Sequence, residues 1–238
     1  MKYIISKNKY GEYSIPEFMV SFGPGRIVHK GGVYESETIE YMTSNCEQGD
    51  IIHAGASFGS FLPALSNSCS GLIWTFEPSP MLFKCAQDTI RLNSLKNIKI
   101  NNIGLSDRPD NAWISSLAEC PAVCSNERYE KLLPRRKPEF ESIKLDTIDN
   151  LIPQDRDVSI LQLDVEQGED AAMRGALNLI KRCFPILIIE SLGKGPSGKL
   201  EIIPDLILKN DWYEKNIFNL GYTYAGLVHA NVVLKNDI

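Results

Sequence analysis

The order of elements from Gly49 to Glu77 limits what this chain can fold into more than any other feature. Gly49-Asp-Ile-Ile52 leads into a short apolar strand. The turn His53-Ala-Gly-Ala-Ser-Phe-Gly59 follows, then a helix, then the apolar run Leu72-Ile-Trp-Thr-Phe76 that ends on Glu77. Strand, glycine turn, helix, strand and carboxylate in that order build a parallel strand pair joined by a helical crossover. Gly55 and Gly59 lack a Cβ, so the turn can tighten and a ligand can approach its backbone. Glu77 follows at roughly the 20-residue offset at which an acid meets a ribose hydroxyl.

A glycine turn alone marks only a tight connection, so the rest of the chain decides what it serves. The spacing of Ile39, Met42 and Cys46 predicts a helix over 35–46. Strands are expected at 50–54, 72–77, 98–105, 142–146, 159–164 and 186–190, with one or two more between 225 and 235. A helix over 60–67 can hold Pro63 only in its first turn. Ser79 reads as an N-cap and Pro80 as the first helical residue. The stripe Phe83, Ala86 and Ile90 is expected to face the core. Asp146 or Thr147 caps a short turn. Met173, Ala176, Leu177 and Ile180 point inward from a helix, and Gly221 ends the last one. Strands and helices alternate for most of the length, which predicts an α/β fold: one doubly wound, mostly parallel sheet. A single domain over 1–238 is expected, with an irregular segment at 1–34. Residues 108–141, polar and proline-bearing, read as an insertion or lid over the pocket.

Charge and composition narrow the partners. The net charge is −5 and the densest basic run is Arg135-Arg-Lys137, so no nucleic acid partner is expected. Apolar runs such as 185–189 are strand length, so no membrane span is expected. The basic first residues lack an apolar signal stretch, which points to a cytoplasmic location. The six cysteines at 46, 69, 85, 120, 124 and 183 are then expected to be reduced. Cys120 and Cys124 invite a metal, yet only three His exist, at 29, 53 and 229, and no bound metal is expected.

Ligands of open α/β sheets bind beyond the carboxyl ends of the strands. Those ends carry His53 to Gly59, Glu77, Asp107, Asp164 with Glu166, and Glu190, a polar and acidic rim. A Gly-x-Gly-x-x-Gly fingerprint is absent, because position 57 is Ser, and this disfavours a nicotinamide-dependent oxidoreductase.

The ordered string resembles the FkbM-type methyltransferases, which use S-adenosylmethionine on a class I, Rossmann-like fold with an antiparallel C-terminal strand. The blocks are Gly49-Asp50; Gly55-Ala56 with Gly59; Glu77-Pro78 with Pro80 and Phe83; Asn93 and Asn97; Leu105-Ser-Asp107; Leu145-Asp146; Asp164-Val-Glu166 with Glu169; Gly175-Ala176; Pro185 and Glu190; and Gly221-Tyr222 with Asn231. The resemblance covers roughly 33–235. It implies that the cofactor lies against His53, Gly55, Ala56, Ser57, Phe58 and Gly59. It also implies that Glu77 and Pro78 hold the ribose side, with Ser106 and Asp107 by the adenine. Asp164 and Glu166 are the expected catalytic pair. One carboxylate holds the cofactor's amino group while the other takes the acceptor's proton. The expected activity is O-methylation of a hydroxyl on a sugar or small metabolite; a non-catalytic subunit that kept the fold is the alternative. A small-molecule or glycan acceptor is the expected partner, and oligomerisation is open. Three positions depart from the family: His53 stands where Asp is usual, Gln162 where Lys is common, and Gln167 where Gly is common.

Overall fold

The computed structural model of the protein describes residues 2–46, 48–115, 123–124, 140–166, 168–195 and 199–236. Residues 2–34 form ordered structure rather than an irregular lead-in. β1 (Tyr3–Asn8) and β2 (Gly11–Pro16) form an antiparallel hairpin, followed by a 3₁₀ turn at Glu17–Ser21 and helix α1 (Gly23–His29). Gly23-Pro-Gly25 looks like a chain breaker, but Pro24 sits in the first helical turn, where its missing N–H costs nothing. Gly25 is required there for space: a Cβ would come within 2.4 Å of the Met19 carbonyl oxygen. The hairpin is pinned from far away. Asn93 Oδ1 accepts from Glu12 N at 2.9 Å, and Thr89 Oγ1 accepts from Ser14 N at 3.1 Å.

Helix α2 (Ser36–Asn45) leads to β3 (Asp50–Ala54). Then come α3 (Leu62–Ser68), β4 (Ile73–Phe76), α4 (Pro80–Leu92) and β5 (Ile98–Asn101). Pro63 lies in the first turn of α3, and the Ser79 hydroxyl caps α4 by accepting from Leu82 N at 3.4 Å. The buried face of α4 is Leu82, Cys85, Ala86 and Thr89, turned from the expected Phe83, Ala86, Ile90 stripe. Thr89 can be buried because its hydroxyl donates to Phe58 O at 2.8 Å. A polar residue satisfied in this way is invisible to hydrophobic periodicity.

The expected strand 98–105 is two pieces. After β5 the chain turns at Asn102, and β6 (Gly104–Leu105) joins a separate four-stranded sheet with β7 (Asp110–Ser115), β8 (Val123–Cys124) and β9 (Phe140–Asp146). The proposed lid at 108–141 falls mostly outside the described residues, as do Cys120 and Gln167. Thr147 caps α5 (Ile148–Leu151) by accepting from Asn150 N at 3.1 Å. There follow β10 (Val158–Leu163), α6 (Glu169–Arg174), α7 (Leu177–Cys183) and β11 (Ile186–Glu190). A small hairpin of β12 (Leu192–Lys194) and β13 (Leu200–Ile202) precedes α8 (Asp205–Leu208) and α9 (Asp211–Asn216). Gly221, at φ 96°, ends that helical stretch as expected, and β14 (Tyr222–Val228) and β15 (Asn231–Asn236) close the chain.

The main sheet has seven strands in the order β14-β15-β11-β10-β3-β4-β5. The five from β11 to β5 are parallel, β15 runs antiparallel to them, and β14, antiparallel to β15, runs in their direction again. Side chains alternate between two buried faces. Ile51, Ile73, Ile160 and Ile188 pack under α2 and α3, while Ile52, Leu161, Leu163 and Ile189 pack with Met173, Ile180 and Tyr213. Both faces are covered, as a parallel sheet requires. The order reverses between β3 and β10, which is where ligands of such sheets bind.

Candidate functional site

The turn after β3 is shaped by three left-handed residues: Gly55 at φ 92°, Ser57 at φ 49° and Gly59 at φ 87°. A Cβ on Gly55 would lie 1.9 Å from the Asp164 carbonyl oxygen, so only glycine lets this turn pass the end of β10. The N–H groups of Gly55 and Ala56 both donate to Phe76 O, at 3.1 and 3.0 Å. Glu77 locks the same turn from β4. Its Oε2 accepts from Ser57 N at 2.7 Å and its Oε1 from Ser79 N at 2.8 Å. Asn102 Nδ2 then donates to Glu77 O at 2.8 Å and Pro78 O at 3.0 Å.

A cavity of about 410 Å³ opens over these strand ends. Its walls include His53, Gly55, Ser57, Glu77, Pro78, Ser106, Asp164 and Glu166, so eight of the expected residues meet on one space. Ala56, Phe58, Gly59 and Asp107 are not among its lining residues. Phe58 packs edge-on against Tyr13, at 6.4 Å between ring centres, in the cluster under the N-terminal hairpin. Asp107 is exposed beside Arg108, 3.5 Å away. Asp164 and Glu166 do not share a face by strand alternation, because β10 ends at Leu163. A left-handed turn with Glu166 at φ 54° brings both to the cavity instead.

Sequence reading missed several walls. Met19, Pro24 and Tyr34 come from the N-terminal segment, and Ser60 and Phe61 from the entry to α3. Gln162 was visible only as a departure from a family pattern; here it pairs in register with His53 and lines the cavity floor. It is 1% exposed, and its Oε1 has no hydrogen-bond partner. Tyr34 had no signal at all, since a tyrosine before a helix is ordinary.

Burial sets the electrostatics. The His53 imidazole is held down to about 4 by burial, so it is neutral, with Nδ1 3.1 Å from Thr75 Oγ1. Burial pushes Glu77 up to about 7, against the pull of the Ser79 and Ser57 N–H groups. Asp164 is raised well above the usual carboxylate range by burial, then by Glu190, Glu35, Glu166 and Glu169. Glu190 is raised to about 7 by burial and by Glu169, Glu166 and Glu35, and shares a hydrogen bond with Asp164. Among the described residues no cluster has metal-binding geometry.

These residues fit S-adenosylmethionine. Each Glu77 oxygen already holds one N–H and keeps a lone pair for a ribose hydroxyl. Ile103, Leu105 and Ala171 give an apolar slot beside Ser106 for an adenine ring. The orphaned Gln162 Oε1, close to Asp164, lacks the donor that an amino-acid ammonium brings.

Solved structures share the fold. A methyltransferase FkbM from Methylobacillus flagellatus KT aligns with a TM-score of 0.53 at 17% identity, covering 79% of this chain and 43% of its own. The chain therefore spans less than half of that neighbour. A putative transferase, PH0793 from Pyrococcus horikoshii, aligns at 0.52 and 10% identity, covering 98% of this chain and 71% of its own. The tRNA (uracil-54, C5)-methyltransferase of Pyrococcus abyssi, solved with S-adenosyl-L-homocysteine, reaches only 0.48 at 11% identity, with 98% and 43% covered. No curated protein matches the sequence. Among the described residues no helix is long and apolar enough to cross a membrane. The methyltransferase FkbM domain model matches residues 53–210, more than half of the chain, and the protein belongs to that family.

Proposed function

We propose that the protein transfers the methyl group of S-adenosylmethionine to a hydroxyl of a sugar or other small metabolite. The observation that carries this reading is one cavity, in a chain of this family, joining Glu77 to Asp164 across the β3 turn. Bound S-adenosylmethionine supplies a methyl group already activated on a sulfonium. The protein's share is positioning and proton removal. Glu77 and the backbone of 55–57 hold the nucleoside end. Gln162 and Asp164 face the amino-acid end. Asp164 and Glu190 share one proton, and the ionised carboxylate of that pair takes the acceptor's proton as the new carbon–oxygen bond forms and the carbon–sulfur bond breaks. A carboxyl raised by burial is a better base near neutral pH than an ordinary one.

A net charge of −5 supports a small acceptor over a nucleic acid. The test is transfer of labelled methyl to a panel of hydroxyl compounds, with bulk tRNA as a further arm. Transfer to at least one small hydroxyl compound is expected, and Asp164→Asn should lower it by about 100-fold or more while S-adenosylhomocysteine still binds. Cofactor binding without transfer to anything would favour the non-catalytic reading, and transfer to tRNA alone would replace the acceptor class.

A further inference from the structure

We propose that the acceptor carries a protonated amine, which docks on Glu190 and Glu35 beyond the reach of the cofactor. This inference rests on the methyltransferase reading above. Asp164 and Glu190 end neighbouring parallel strands, since Leu163 and Ile189 are partners in register. Asn231 stands opposite Glu190 on β15. Glu35 closes the same rim from the start of α2, buried and held at φ 46°, a strained conformation for a glutamate. It is tied in by Thr38, whose hydroxyl donates to Glu35 Oε2 at 3.0 Å. Asn231 Nδ2 in turn donates to Thr38 Oγ1 at 3.3 Å.

The row is made of acceptors. Asp164 and Glu190 share a proton in the free protein, and once a bound ammonium leaves both ionised the carboxylates of the row only accept. Two buried carboxamide oxygens, Gln162 Oε1 and Asn231 Oδ1, have no partner, and both residues are 1% exposed. Tyr34 contributes its hydroxyl to Glu35 and lines the cavity. Glu166 and Glu169 add negative charge from the β10 end and α6. His229 Nε2 lies 4.0 Å from Glu35 Oε1. No Lys or Arg among the described residues forms an ion pair with Asp164, Glu190 or Glu35.

The cofactor cannot supply every missing donor. With its ribose on Glu77 of β4, it reaches across two strand spacings, roughly 10 Å, to Gln162 and Asp164 on β10. Asn231 on β15 lies two spacings further, again roughly 10 Å. One ammonium cannot serve both orphaned oxygens. A second ligand that brings charge as well as donors fits the outer half of the row, and an amino alcohol or amino sugar has both. A neutral polyol brings donors but leaves the carboxylates repelling one another.

The experiment uses protein saturated with S-adenosylhomocysteine, so the cofactor's own ammonium is already in place. It is titrated calorimetrically with matched pairs: glucosamine against glucose, galactosamine against galactose, ethanolamine against ethylene glycol. In at least one pair the amine should bind 10-fold tighter or better. Glu190→Gln and, separately, Glu35→Gln should reduce that preference to less than 3-fold, each measured on protein saturated with S-adenosylhomocysteine. Equal or weaker binding of the amine in every pair, on protein that binds S-adenosylhomocysteine normally, overturns the inference. So does a preference that survives both substitutions. Failure to bind S-adenosylhomocysteine at all would instead break the methyltransferase reading.

Discussion

At the amino end of β3, the buried Asp50 carboxylate accepts from Leu72 N at 2.9 Å, Trp74 Nε1 at 2.7 Å and Arg156 Nε at 2.7 Å. Burial works to raise its pKa, but Arg156 and the two N–H groups outweigh it, and Asp50 stays ionised below the usual range. At the other end of the same sheet, Asp164 and Glu190 are buried together and both are raised. One end spends its polar groups on each other and gains stability. The other leaves Gln162 Oε1 and Asn231 Oδ1 without a donor and sets two carboxyl groups side by side, which costs stability. Buried carboxylates therefore say little by themselves; what distinguishes an anchor from a site is whether the fold completes their hydrogen bonds.

The largest expected effect lies where the fold leaves no room. Gly55→Ala forces a Cβ against the Asp164 carbonyl at a left-handed φ, and should cost about 4 kcal/mol in denaturant unfolding. A loss under about 1 kcal/mol would mean that the turn and β10 are not held this close. Next comes the anchor. Asp50→Ala leaves the Leu72 and Trp74 N–H donors without their acceptor, and should cost about 3 kcal/mol. S-adenosylhomocysteine affinity of the folded fraction should not change, and a parallel loss of binding would erase the distinction between the ends.

The rim should respond with the opposite sign. Glu190 is raised from 4.5 to about 7, so its stabilising share is complete below pH 4.5 and is lost as pH rises through 7. Glu190→Gln is expected to stabilise the free protein by about 2 kcal/mol at pH 8 and to do nothing at pH 4. His53 works in reverse: lowered from 6.5 to about 4, it costs stability as pH falls through that window. In the parent the falls from Glu190 and Glu77 outweigh the His53 rise, so the variant should lose less stability than the parent between pH 4.5 and 7. A destabilised Glu190→Gln at pH 8 would show that the rim is an anchor after all.

The parts of this molecule that were legible in the sequence are the local ones. The unit β3, glycine turn, α3, β4 and Glu77 depends on contacts within a single crossover, and its strands, caps and proline sit where propensity puts them. The carboxylates at strand ends were legible for the same reason. The N-terminal hairpin was not, because its buried positions include Ser6, Asn8 and Ser14, and its ties run to Thr89 and Asn93. Polar residues made buriable by distant partners carry no periodic signal. Tyr34 and Glu35 escaped notice likewise: only the packing of α2 against the sheet brings them to the rim. Glu166 reaches the cavity through a left-handed turn after β10, a local geometry that carries no periodic signal.

The central claim is that Glu77 holds the ribose of S-adenosylmethionine at the β3–β4 tips. It is tested most directly by calorimetric titration of the protein and of Glu77→Gln with S-adenosylhomocysteine. The account predicts one site per chain in the parent and binding weaker by roughly 30-fold in the variant, about 2 kcal/mol for lost charge-assisted hydrogen bonds. No binding by the folded parent, or equal binding by both proteins, would contradict it.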